Sequence, residues 1–95
     1  MQYAIAHEES GSRGAFTIDQ EGKRLAEMTY VRRDESVIVI DHTFVEPSLR
    51  GQGIARQLLD AAVSWARQGK VRILPECSYA RTAFARDATI RDVLA

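Results

Sequence analysis

Thr43-Phe44-Val45-Glu46-Pro47-Ser48-Leu49-Arg50-Gly51-Gln52-Gly53-Ile54-Ala55-Arg56 is the stretch whose reading decides the fold. It reads as the end of a buried strand, a turn broken by Pro47, a glycine-rich loop and the first turn of a long helix. A junction of that kind turns several backbone N–H groups into one small space at the positive end of a helix dipole. It therefore suits a phosphate or pyrophosphate. Gly51 and Gly53 let a ligand approach the backbone closely, and Arg50 stands at the mouth.

Upstream of the loop, Val37 to Val45 is apolar on both parities and rich in β-branched residues. That composition predicts a central strand buried on both faces. Before it, Tyr3 to His7 reads as a short edge strand and Glu8 to Ser12 as a polar turn. Gly14 to Ile18 alternates at period two, Asp19 to Gly22 makes a tight connection, and another strand runs through Leu25, Ala26, Met28 and Tyr30. Connections this short predict an antiparallel meander.

Downstream, Ile54, Leu58, Leu59, Ala62, Val63 and Ala66 fall on one helical face, with Arg56, Gln57, Asp60, Ser64, Arg67 and Gln68 on the other. Gly69 is the expected residue just past the helix end. Val71 to Leu74 reads as a strand stopped by Pro75, Ser78 to Arg86 as a shorter helix, and Thr89 to Leu94 as a last turn or two. A helix between two strands implies a parallel βαβ unit. The predicted fold is α/β, a single domain over residues 1–95, with a mixed, mainly antiparallel sheet.

Bulk composition narrows the partners. The 95 residues carry 13 basic and 13 acidic side chains, so the chain as a whole lacks the charge excess that nucleic acid or an anionic membrane attracts. No apolar run reaches membrane-spanning length and the first residues lack a signal-peptide pattern. The single cysteine, Cys77, excludes an internal disulfide and the multi-cysteine zinc patterns. A cytoplasmic protein is the expectation, with no nucleic-acid, membrane or metal partner.

Two phosphate-binding motifs can be tested against the loop. The Walker A pattern needs a Lys-Ser or Lys-Thr pair after its last glycine, and none closes this loop. The dinucleotide fingerprint needs a third glycine where Arg56 stands, although Glu76 lies roughly where its ribose-binding acid is expected.

Val45-x-Pro47-x-x-Arg50-Gly51-x-Gly53-Ile54-Ala55 resembles motif A of the GNAT superfamily of acetyl-CoA-dependent N-acetyltransferases, R/Q-x-x-G-x-G/A. Arg50, Gly53 and Ala55 meet its fixed places. With Asp41-His42-Thr43 before it and Pro75-Glu76-Cys77 after the next strand, the whole chain is similar to the minimal GNAT-like domains of the YjdJ type. The resemblance implies a GNAT-like fold whose parallel βαβ unit forms the cofactor site. Acetyl-CoA or CoA would be held there by Arg50, Gly51, Gln52, Gly53, Ile54 and Ala55, with the thioester against the backbone of Phe44 and Val45. The acceptor would be an amine or a peptide of unknown identity.

The family's helices between the first two strands and its last strands have no counterpart here, so the domain is truncated where the acceptor is usually covered and at the C-terminal end. The family's common N-x-x-A-x-x-x-Y pattern reads Cys77-Ser78-Tyr79-Ala80-Arg81-Thr82-Ala83-Phe84. Phe84 has no proton for a leaving thiolate. Cys77, at the start of a helix, is a candidate acyl carrier, against the ordinary fate of a buried, inert thiol. His42 is a candidate base for the amine or for Cys77, against a histidine held by a structural partner. A module that binds CoA or a protein without catalysis is the alternative function.

Overall fold

The computed structural model describes residues 3–95. Strands β1 (Ala6–Ser10), β2 (Arg13–Gln20), β3 (Lys23–Arg32) and β4 (Val37–Val45) precede helix α1 (Ile54–Gly69). Strand β5 (Arg72–Pro75) and helix α2 (Ser78–Arg86) follow it, with short 3-10 turns at Pro47–Leu49 and Ala88–Val93. The strands form one sheet in the order β1-β2-β3-β4-β5. All neighbours are antiparallel except β4 and β5, which run parallel across α1.

The turn between β2 and β3 is the two residues Glu21 and Gly22, both at positive φ (52° and 78°). That backbone matches the twist of the flanking strands. At the start of the chain the predicted edge strand Tyr3 to His7 is displaced. Strand begins at Ala6 and continues through Glu8, Glu9 and Ser10, which were expected to turn. The register explains the displacement: His7 pairs with Phe16 and Glu9 with Gly14, so polar β1 residues reach aromatic and ionic partners. His7 stacks on Phe16 with ring centroids 4.2 Å apart and meets the edge of Trp65 at 4.9 Å. Tyr30, fully buried, donates its one proton to Glu9 (2.9 Å). His7 Nε2 must therefore carry a proton and donate to the Tyr30 oxygen at 2.6 Å.

Helix α1 buries the predicted stripe, Ile54, Leu58, Leu59, Ala62, Val63 and Ala66. These join Phe16, Met28, Tyr30, Ile38, Ile40, Ile73, Phe84 and Ile90 in one core. Each such leucine, wholly removed from water, contributes about 1.5–3 kcal/mol of transfer free energy. The helix ends one residue later than expected. Gly69 is still helical, and Lys70 takes the left-handed conformation at φ 55°. Trp65 is half-exposed and lies under the Arg32 guanidinium, 5.5 Å from its ring centroid.

β4 is interior to the sheet, but it is buried on one face only. Ile38 and Ile40 are in the core, Val37 and Val39 are half-exposed, and His42 is exposed. The apolar alternation also breaks inside the strand. Tyr30 pairs with Ile40 and Thr29 with His42, which leaves Asp41 as an unpaired bulge residue. Thr29 Oγ1 donates to Asp41 at 2.6 Å, and Arg13 lies 3.7 Å from its other oxygen. Residues directly opposite across an antiparallel pair share a face. Thr43 opposite buried Met28 and Val45 opposite buried Ala26 are therefore on the core side, while His42 and Phe44 are on the outer side.

Candidate functional site

Strand β4 and strand β5 stay paired only as far as Ile40 and Pro75. The Ile40 carbonyl then accepts from both Glu76 N–H (2.9 Å) and Cys77 N–H (3.1 Å), which turns the chain away into α2. β4 continues to Val45 with a partner on its β3 side alone. A gap therefore opens between the two parallel strands, and backbone groups of β4 face it.

The glycine loop closes one end of the gap. Gly51 and Gly53 sit at φ 81° and 75°, and a Cβ on either would meet nothing within 4 Å. Gly53 is the N-cap of α1, whose first internal hydrogen bond runs from Gln57 N–H to the Gly53 carbonyl. The amides of Ile54, Ala55 and Arg56 precede it, have no partner in the helix, and point out of its positive end. A cavity of about 250 Å³ lies here, lined by Val45, Arg50, Gly51, Gly53, Ala55, Arg56 and Tyr79. The exposed Arg50 donates through Nε to the Val45 carbonyl at 3.2 Å, which holds its guanidinium over the loop. Gln52 is exposed at the loop tip and Ile54 is buried in the core, so Ile54 offers the site its amide only. The donor set fits a pyrophosphate: helix N-terminal amides, the Arg50 guanidinium and open space above two glycines.

Arg56 is not a free cation. It bonds Asp60 at 2.8 Å and also reaches Asp87, the residue that ends α2. The hydroxyl of Thr89 first, and then the Arg56 guanidinium, hold the Asp87 carboxyl down at about 2. Burial pushes the Tyr79 phenol above its ordinary range, so it stays protonated beside the loop.

Cys77 is half-buried and is the N-cap of α2. Its sulfur accepts from Ala80 N–H at 3.4 Å and lies 3.3 Å from Thr43 Oγ1. The structure thus brings together Cys77, Thr43 and the strand gap, with the glycine loop beyond. It does not bring His42 to Cys77. The bulge at Asp41 turns His42 to the outer face, so an activating contact between them is absent. Phe44 is on that outer face too, and only its backbone borders the gap. Tyr79, which two residues after Cys77 could either reach the site or simply pack, lines the loop cavity, whereas Thr43 and Arg56 had no assigned part in the sequence reading. Thr43 lies within the quoted Asp41-His42-Thr43, but its side-chain direction depends on a bulge that residue types do not announce. Phe84 is buried in the core.

A family model described as GCN5-related N-acetyl-transferase matches residues 15–93. The chain belongs to that family. Among solved structures it is similar to a GCN5-like protein of Staphylococcus aureus, at 33% identity over 95% of this chain and 87% of that one, with a TM-score of 0.72. Two others share the fold. The aminoglycoside N-acetyltransferase AAC(6')-Iy, in complex with CoA, is 21% identical over 82% of this chain and 69% of that chain, TM-score 0.61. The ribosomal-protein-S18-alanine N-acetyltransferase of Escherichia coli is 18% identical over 82% of this chain, which spans about half (53%) of that enzyme, TM-score 0.67. A search of curated proteins found no match. Among the described residues no helix is long and apolar enough to cross a membrane.

Proposed function

We propose that this protein is an acetyl-CoA-dependent acyltransferase that takes the acetyl group onto Cys77 and passes it to an amine or peptide acceptor. The observation that carries the reading is the position of the Cys77 sulfur, at the N-terminus of α2 where the β4–β5 ladder opens. Support for the cofactor comes from the loop geometry and from family members solved with CoA or with acetyl-CoA bound.

In this reading, Arg50 and the amides of residues 51–55 hold the pyrophosphate, and the gap beside Thr43, Phe44 and Val45 takes the pantetheine arm. Backbone N–H groups at the gap orient the acetyl carbonyl and stabilise the charge that develops on its oxygen. Cys77 attacks there, from the N-terminus of α2. His42 faces away from the Cys77 sulfur across β4, so it takes no part in this transfer, and the amine reaches the acetyl group from the open gap. An acyl-carrying free thiol belongs in a reducing compartment, which favours the cytoplasm.

The second reading, a CoA-binding or interaction module without turnover, is favoured by Phe84, which is buried and has no proton to give a leaving thiolate. Intact-mass spectrometry after incubation with acetyl-CoA separates the two. One added acetyl on wild type and none on Cys77→Ala supports the acyl carrier. No acetyl on either, with CoA still raising the melting temperature, supports the module.

A further inference from the structure

We propose that Thr43 is the positioning residue of the Cys77 thiol. The proposal rests on the acyl-carrier reading, and its test is chosen so that either can fail alone. Thr43 Oγ1 is 3.3 Å from Sγ, and the contact exists because the Asp41 bulge reverses the phase of β4. With regular alternation from Ile38 and Ile40, residue 42 would follow them onto the core side and residue 43 would face outward. The bulge is anchored at Asp41 by Thr29 and Arg13, so the hydroxyl stands on a braced segment of strand.

A threonine hydroxyl has one proton and two lone pairs. It can accept from the thiol S–H in the resting protein and donate to the sulfur once the proton has left. The Ala80 amide approaches the same sulfur at 3.4 Å. Between them, the two contacts fix the direction of the remaining sulfur lone pair toward the gap. In the reaction, Sγ attacks the thioester carbonyl carbon; the Sγ–C bond forms and the C–S bond to CoA breaks. The thiol proton ends on the released CoA sulfur. One thioester replaces another, so no oxidant or reductant is consumed.

Thr43→Val keeps the branched shape and removes the hydroxyl, whereas Thr43→Ser keeps the hydroxyl and removes the methyl. The readouts are the initial rate of Cys77 acetylation at saturating acetyl-CoA, the rate of Cys77 alkylation by iodoacetamide at fixed pH, and the CoA-induced melting shift. Thr43→Val should slow acetylation about five-fold, the factor one hydrogen bond of ordinary net strength carries. Thr43→Ser should restore most of the rate, with each variant measured at an acetyl-CoA concentration that its own melting shift shows to be saturating. If wild type takes no acetyl but alkylation slows in Thr43→Val and recovers in Thr43→Ser, the positioning role stands and the acyl-carrier reading falls. Wild-type rates in Thr43→Val overturn the proposal, as does an equal loss in Thr43→Ser. Should Thr43→Val not fold, the same comparison between Thr43→Ala and Thr43→Ser decides it by the same criteria.

Discussion

Arg56, in the first turn of α1, hydrogen-bonds through Nη2 to Oδ2 of Asp87, the residue that ends α2. The beginning of α1 is thereby tied to the end of α2, the helix that Cys77 caps.

The tie depends on an ionised Asp87, whose carboxyl is held at about 2. Its contribution is complete above the unfolded carboxylate value of about 3.9 and is lost as pH falls toward about 2. Thermal melts of wild type and Asp87→Asn should differ most at neutral pH and converge as pH falls below about 4. A gap that does not change with pH would show that the carboxylate charge is not what holds the helices.

His7 responds to pH in a higher window. Burial, partly offset by Glu9 and reinforced by Arg32, lowers its pKa in the fold. The unfolded chain therefore binds more protons just below the ordinary value of about 6.5, and stability rises with pH through that window. Wild type should lose melting temperature relative to His7→Phe when pH drops from about 7 to about 5. Trp65 emission should change over the same range, since the two rings meet at 4.9 Å.

At Gly53 the backbone is left-handed and open space lies above it. Valine there is strained by about 1–3 kcal/mol and fills the volume a pyrophosphate would take. Gly53→Val should abolish the CoA-induced melting shift at CoA concentrations that saturate wild type, while the variant still melts cooperatively. An unchanged shift would move the cofactor elsewhere.

Gly14 plays a different part. A Cβ there would run into the ring end of Tyr30, which is fully buried and bonded to both His7 and Glu9. Gly14→Ala should cost about 1–3 kcal/mol by overpacking, measured by urea unfolding. Leu58→Ala, at a fully buried position of α1, should cost about 2–5 kcal/mol.

Regular periodicity carried most of the fold into view. The α1 stripe, the α2 limits at Ser78 and Arg86, the meander and the parallel unit follow from spacing and from short or helical connections. The glycine loop was equally legible, because its conformation, at φ near 80°, is one that glycine adopts readily. Side-chain direction on β4 was not. Nothing in the residue types Ile40-Asp41-His42-Thr43 says that Asp41 will be skipped by the ladder, since that depends on partners brought by β2 and β3. The same reason hid the start of β1, whose glutamates look like turn residues until Arg24 and Arg32 lie beside them. At the end of α1, Lys70 adopts a conformation for which glycine was the better guess.

The unpaired Asp41 decides which side of β4 each later residue takes. Were Asp41 drawn into the ladder as a paired residue, the strand beyond Ile40 would exchange its two sides: an imidazole would swing inward toward the sulfur, and the hydroxyl would leave for solvent. Removing Asp41 altogether would keep both sides as they are, because His42 would still stand opposite Thr29 and Thr43 opposite Met28. What β4 depends on is therefore a residue held out of the ladder, and the brace from Thr29 and Arg13 is what holds it there.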